Sequence, residues 1–462
     1  MALQRVAARV GLMPFTAVTS CALSAALSMA LALAGPRPVH AADAPPQMTG
    51  QNFAVHGQAT LVEQVTAPFH APYSGLHSLS PRRGAETFDL TLFLGARLWS
   101  GGQLWVNPEI DQGFGLDDTV GLAGFASGEA YKVGRSQPYW RLPRLFVRQT
   151  VNMGGDRQPL APTANQLGGA ESTRRWVFTV GKFAVTDIFD SNQYAHDARN
   201  DFLNWTAIDA GTFDYAADAW GYTVGAAAEW YRDAWTVRAG VFDLSDVPNS
   251  ETLEPGLHEV QWIGELERRY ALRGSPGKVL VTVFDSRARM ALLDDALGRA
   301  QATGENVNVA LVQVRRYRSR AGISVSLEQQ LSTDLGLFIR AGKAGGNVEA
   351  YEFTDVDQTA AGGLSLQGRR WGRAADTVGL AAIVNGIGAE RERFLNAGGL
   401  GILVGDGRLP YPAAEQILET YYRWAPVPWA QLTFDYQQVI HPAYNRDRGP
   451  VPIFAVRWHA QF

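Results

Sequence analysis

From Phe88 to Trp99 the chain places Phe88, Leu90, Leu92, Leu94, Ala96 and Leu98 on one parity and Asp89, Thr91, Phe93, Gly95, Arg97 and Trp99 on the other. A period of two over twelve residues predicts a β-strand with one apolar face. Tyr222, Val224, Ala226, Ala228 and Trp230 repeat the pattern against Thr223, Gly225, Ala227 and Glu229, and Ala321, Ile323, Val325 and Leu327 repeat it against Gly322, Ser324, Ser326 and Glu328. Sixteen such segments follow one another, near 53–62, 88–99, 103–109, 143–151, 174–184, 220–231, 235–243, 259–270, 278–286, 319–330, 334–343, 359–370, 376–385, 416–424, 429–440 and 452–462. A further apolar piece, Leu400 to Val404, is assigned to a loop because bacterial barrels carry an even number of strands.

Connection lengths alternate. The turns 100–102, 232–234, 331–333, 371–375 and 425–428 are short, whereas 63–87, 110–142, 185–219, 287–318 and 386–415 are long. Short turns at one end and long loops at the other predict an all-β fold, a closed antiparallel transmembrane barrel with periplasmic turns and extracellular loops. The stretch 152–173 is the exception, being long on the short-turn side. No repeat or linker divides the chain, so residues 42–462 form one domain.

A soluble barrel alternates too, so the chemistry of the polar parity decides which face is which. Charges recur there as Arg97, Arg148, Glu229, Arg238, Glu328, Arg340, Glu419, Arg423, Asp435, Arg457 and His459. In a membrane barrel that face lines water and the apolar face meets lipid. Trp99, Tyr222, Trp230, Trp235, Tyr270, Trp424 and Trp429 stand near segment ends, where interfacial girdles form; aromatic residues flanking turns in a soluble core are the competing reading. In the last segment Phe454, Val456, Trp458, Ala460 and Phe462 share one parity. A terminal aromatic on an alternating strand resembles the signal read by the barrel-assembly machinery, so Phe462 is the candidate assembly signal.

Residues 1–41 combine Arg5 and Arg9, a long run of small and apolar residues, and Val39-His40-Ala41, the pattern of a cleaved secretory signal. Val18-Thr19-Ser20-Cys21 loosely resembles a lipoprotein box, but the apolar run continues past Cys21. Cys21 is the only cysteine, so the mature chain holds no disulfide although it is exported. The 462 residues include 45 acidic and 41 basic side chains, and the removed part takes Arg5, Arg9 and Arg37 with it. The acidic remainder argues against nucleic acid or an anionic membrane surface as partner. With 46% apolar and 11% aromatic residues the chain is not disordered, and no later run reaches the roughly 18 apolar residues of a membrane helix.

Several short motifs carry a family resemblance in order along nearly the whole mature chain. They are Phe53-Ala54-Val55-His56-Gly57-Gln58, Pro72-Tyr73-Ser74-Gly75, Leu94-Gly95-Ala96-Arg97-Leu98-Trp99, Asn107-Pro108-Glu109 and Arg144-Leu145-Phe146-Val147-Arg148-Gln149-Thr150. Asp187-Ile188-Phe189-Asp190, Tyr194-Ala195-His196-Asp197, Phe202-Leu203-Asn204-Trp205, Asp214-Tyr215-Ala216-Ala217-Asp218 and Glu419-Thr420-Tyr421-Tyr422 continue the series. The set resembles carbohydrate-selective porins of the OprB type. That resemblance implies a sixteen-stranded outer-membrane channel through which sugars diffuse passively, narrowed by long outer loops. A homo-oligomer stays open, and no cofactor is implied.

Catalysis lacks a constellation. No serine stands in a G-x-S-x-G elbow, and no histidine pair has metal-ligand spacing. His196, between Tyr194 and Asp197, leaves only a Ser-His-Asp grouping open. The loop 185–219 is the chief site candidate, because Asp187, Asp190, Asn192, Asn204 and Trp205 offer carboxylates and amides for hydroxyl pairs and a ring for a sugar's C–H face. Packing and capping of a folded loop is the alternative. We expect the loop to fold inwards, facing a wall that includes Arg97 and Arg148. Arg97, Glu109, Arg148, Arg340, Glu419 and Arg423 either contact solute or pair across strands and stiffen the wall. Both signs are present, which suits neutral polar solutes; a channel for small carboxylates is the runner-up.

Overall fold

The computed structural model describes residues 50–130 and 134–462, so the signal segment 1–41 lies outside the described residues. Strands run β1 (Phe53–Thr66), β2 (Gly84–Trp99), β3 (Gly102–Gly113), β4 (Arg135–Asn152), β5 (Arg157–Leu160), β6 (Gly169–Ser172), β7 (Arg174–Phe183), β8 (Thr223–Arg232) and β9 (Trp235–Asp243). They continue as β10 (Val260–Leu272), β11 (Ser275–Met290), β12 (Arg316–Gln330), β13 (Leu335–Ala344), β14 (Gln358–Gly368), β15 (Arg373–Gly386), β16 (Glu415–Val427), β17 (Ala430–Ile440) and β18 (Val451–Gln461). All but β5 and β6 join one closed antiparallel barrel of sixteen strands, each paired to its chain neighbour, and β1 pairs β18 to close it. Each expected segment is found, and Leu400–Val404 is loop.

Closure follows from the alternation. The barrel strands expose one apolar parity, for example Val180, Val237, Val283, Ile323, Ile339, Leu380, Leu418 and Phe454, while the intervening residues are largely buried. A closed ladder leaves no edge with unpaired backbone groups, the condition for contact with lipid. At the seam Phe462 and Gly57 exchange backbone hydrogen bonds of 2.9 and 3.1 Å. The Phe462 ring lies over Gly57 so closely that a Cβ there would stand 2.3 Å from the ring.

Six turns, 100–101, 233–234, 273–274, 331–334, 369–372 and 428–429, are short. The 152–173 exception is the small β5–β6 hairpin. On the other side, the long loops carry helices α1 (Trp205–Ile208), α2 (Leu293–Thr303), α3 (Val307–Gln313) and α4 (Ala389–Asn396).

The lumen is not simply water-lined, and this corrects the view of its charged parity. Segment 184–222 lies against the inner wall on three phenylalanines. Phe189 packs edge-on against Phe242 at 5.9 Å between centroids, Phe202 against Phe338 at 5.5 Å, and Phe213 against Phe284 at 5.3 Å. Each loop ring is 0% exposed. Burying one such ring contributes about 1.5–3 kcal/mol, so the core of the molecule sits inside the barrel, between wall and loops. Tyr222, expected at the interface, is buried on the lumen side.

Candidate functional site: the lumen constriction

Wall side chains hold the long loop by its main chain. Arg340 donates to the carbonyls of Ala195 (2.8 Å), Ala207 (2.6 Å) and Asp190 (3.2 Å). Arg457 donates to Asp201 O at 2.9 Å and Arg423 to Asn200 O at 3.0 Å. Carboxylates take the amides: Glu265 accepts from Asp190 N at 2.8 Å, Glu328 from Gln193 N at 2.6 Å, and Glu419 from Leu203 N at 2.5 Å and Asn204 N at 3.2 Å. Buried polar groups must be paired, and an irregular loop inside a barrel has many unpaired backbone groups. The inward charges satisfy them.

This placement revises most of the candidate solute contacts. Glu419, Asn204 and Asp190 are 0% exposed, Trp205 2% and Asn192 6%, so none presents a free surface to a solute. Asn204 caps α1, accepting from Thr206 N at 3.1 Å and donating to Gly124 O at 3.0 Å and Gln437 Oε1 at 3.1 Å. Asp190 accepts from Ala210 N at 2.6 Å, and the Asn192 side chain donates to Ser326 Oγ at 3.2 Å. Trp205 stacks one face on Phe125 at 5.3 Å and, though almost fully buried, borders the lumen cavity. Glu109 accepts from Thr91 Oγ1 at 2.6 Å and Arg141 at 2.7 Å. Arg97 does not face the long loop, donating instead to Gln51 O at 3.0 Å on the short-turn side, whereas Arg148 donates to Asn165 O at 2.7 Å and shares a cavity with Asp187 and Ile188 of the loop.

Further residues face the loop across open space. Arg144 grips Asp187 with two bonds of 2.7 Å each, and its guanidinium lies 4.9 Å from the centre of the Tyr222 ring. Arg141 lies 4.9 Å from the same ring and binds Glu109 and Asp111. Arg199, from the loop, reaches Glu129 at 3.3 Å and Asp89 at 3.7 Å. Trp220 Nε1 donates to Tyr139 Oη at 2.9 Å. Some of these groups line a cavity of about 150 Å³, bounded among others by Glu129, Arg144, Asp197, Arg199, Trp220 and Tyr222.

Strict alternation hides this ring. Arg141 and Arg144 are three apart and belong to opposite faces of a regular strand. Across from them Asn107 and Glu109 are two apart, so β4 bulges by one residue here and both arginines turn inwards. Pro108 and Pro143, which cannot complete a regular ladder, were the signal available in the sequence.

Charge in the ring is fixed by pairing. Burial pushes the Asp187 carboxyl up, but the Arg144 guanidinium outweighs it and holds the group below the usual carboxylate range. Burial opposes a charge on His196, yet Asp209, 3.5 Å from Nδ1, prevails and lifts the ring to about 8. Asp197 is buried too, and Arg199 keeps it ionised below the ordinary range. The arrangement therefore presents cations, anions and aromatic rims around one gap, without an excess of either sign. A hydroxyl both donates and accepts, so such a lining can pair a polyol in many orientations.

Residues 77–462 match the family described as carbohydrate-selective porin, OprB family. The chain belongs to that family. Among solved structures, the barrel is similar to the high-pH structure of Pseudomonas putida OprB, with a TM-score of 0.66, 14% identity and coverage of 89% of this chain and 94% of that one. The outer membrane channel DcaP of Acinetobacter baumannii gives a TM-score of 0.48 at 9% identity, covering 89% of this chain and 97% of that one. No curated protein sequence matches the chain. This porin is thus a carbohydrate-selective channel by family.

Proposed function

We propose that the protein lies in the outer membrane and lets neutral sugars diffuse passively through the gap between β4 and the 184–222 loop. The observation that carries this reading is the set of Glu129, Arg144, Asp197 and Arg199 with Tyr222 and Trp220 around one cavity of the lumen, with Asp187 bonded to Arg144 beside it. Its charges are paired, so the gap offers hydrogen bonds without a strong field. Contacts to each hydroxyl stay weak enough for release, as conduction requires. The three lumen arginines of β4 invite the carboxylate reading, but Arg141 and Arg144 are neutralised by Glu109, Asp111 and Asp187.

Liposome swelling tests the choice. Proteoliposomes should swell faster in isotonic glucose or maltose than in an isotonic dicarboxylate, and glucose should reduce ion conductance in planar bilayers. Faster swelling in the dicarboxylate would overturn the reading in favour of an organic-acid channel.

A further inference from the structure

The tip of the β5–β6 hairpin, residues 161–168, turns back beneath the lumen. Thr163 and Gln166 bond each other through backbone bonds of 3.1 Å each, and Asn165 takes the left-handed conformation at φ 59°. Wall groups hold the turn: Arg148 Nη1 donates to Asn165 O at 2.7 Å and Asn107 Nδ2 to Asn165 Oδ1 at 2.9 Å. Gln51 N donates to Gly168 O at 3.0 Å, while Gly168 N donates to Gln51 Oε1 at 2.9 Å. Leu167 is 1% exposed. A turn so fastened is a floor, and Asp187 and Ile188 of the long loop form the ceiling above it.

Between them lies a second cavity of about 230 Å³, bounded by Phe146, Phe183, Arg148, Thr179, Gln166 and Asp187. Thr179 is 2% exposed, and its hydroxyl has no hydrogen-bond partner. An unpaired buried hydroxyl costs about 1–3 kcal/mol, and valine would suit a strand equally well. The hydroxyl is free for a guest. Two phenylalanine rings supply a surface for C–H groups, while the Asp187 carboxylate and the Gln166 amide supply polar partners. At about 30 Å³ per liquid water the space of about 230 Å³ displaces on the order of eight waters, room for a solute the size of one hexose.

We propose that this cavity is a second solute subsite, on the short-turn side of the constriction, that takes one neutral hexose unit and selects it through the Thr179 hydroxyl. The proposal rests on the sugar-channel reading. A hexose crossing the barrel then pauses at two stations, and block by sugar differs between the two sides.

The test uses the full mature chain in planar bilayers with D-glucose added to one side at a time. Orientation is read from a Gly298→Cys background, exposed on α2 among the long loops, with a membrane-impermeant thiol reagent. Thr179→Val should weaken block by glucose from the short-turn side roughly fivefold, the worth of one net hydrogen bond of about 1 kcal/mol. Sugar-free conductance and block from the long-loop side should not change, and Thr179→Ser should restore the loss. Ala164→Trp, at the exposed tip of the turn, fills the cavity and should abolish short-turn-side block. If glucose blocks the parent protein but Thr179→Val behaves like it, or loses block equally from both sides, the subsite is refuted and the sugar channel stands. If glucose blocks the parent from neither side, the sugar-channel reading fails and the subsite fails with it.

Discussion

Asn204 is the position where one atom group decides how firmly the constriction is held. Asn204→Ala removes the cap of α1, worth about 1 kcal/mol. It also leaves Gly124 O and Gln437 Oε1 without their donors at 3.0 and 3.1 Å, each worth about 1 kcal/mol net. The loss is about 3 kcal/mol, a factor of roughly 150 in the equilibrium between seated and lifted loop tip. Phe189, Phe202 and Phe213 stay docked and Arg340 keeps the carbonyls of Ala195 and Asp190, so the loop as a whole stays in place while residues 203–208 open more often. The barrel ladder is untouched and heat stability in detergent should be unchanged. In hydrogen exchange, the amides of 203–208 should lose protection by about two orders of magnitude. In bilayers, open-channel noise should rise and block by glucose weaken. Asn204→Ser, which keeps the cap acceptor, should recover part of the protection. Unchanged exchange at 203–208 together with unchanged block would refute the claim that this network seats the constriction.

The His196–Asp209 pair makes the ring pH-sensitive. Because His196 titrates near 8 when folded and near 6.5 when free, its contribution is complete below about pH 6.5 and fades as the pH rises through 8. Since 27% of the His196 side chain is open to water, that contribution is at most about 2 kcal/mol. Conductance noise should grow between pH 7 and 9, and His196→Gln should flatten the profile; a pH-independent parent channel would count against the pair. Asp187→Asn removes the carboxylate charge and one of the two 2.7 Å bonds to Arg144, which leaves an uncompensated cation at the gap. The reversal potential in a salt gradient should move toward anion selectivity, and no movement would place Arg144 off the ion path. At the seam, Gly57→Val collides with the Phe462 ring, and it and deletion of Phe462 should each lower the yield of the folded, heat-modifiable barrel several-fold; normal yield from both would show that the seat is dispensable.

The strands were legible because one physical fact, an apolar parity facing lipid, imposes period two on every one of them. The destination of the inward charges was not. An arginine at position 340 satisfies the same alternation whether it meets water, a neighbouring strand or a loop carbonyl. The clue lay in aromatics on the polar parity, Phe242, Phe284 and Phe338, which have no reason to face water and instead receive the loop. Arg144 appeared only as part of a motif because a bulge breaks the period on which the reading relied. Tyr222 was placed at the interface because strand ends and loop bases look alike in sequence. Asp187 stays beside open space because a lumen arginine grips it, and Trp205 lines the neighbouring cavity.

The grip of Arg340, Arg423, Arg457, Glu265, Glu328 and Glu419 is on peptide groups. Every residue except proline brings the same amide and every residue the same carbonyl, so apart from the docked phenylalanines and the bonded side chains of Asp190, Asn192 and Asn204 the long loop can exchange side chains without losing its seat. Variation is thereby divided: the wall is under strict constraint while the loop is free to drift. A barrel built this way can change which solute it admits by substitutions in one segment, with folding left to another.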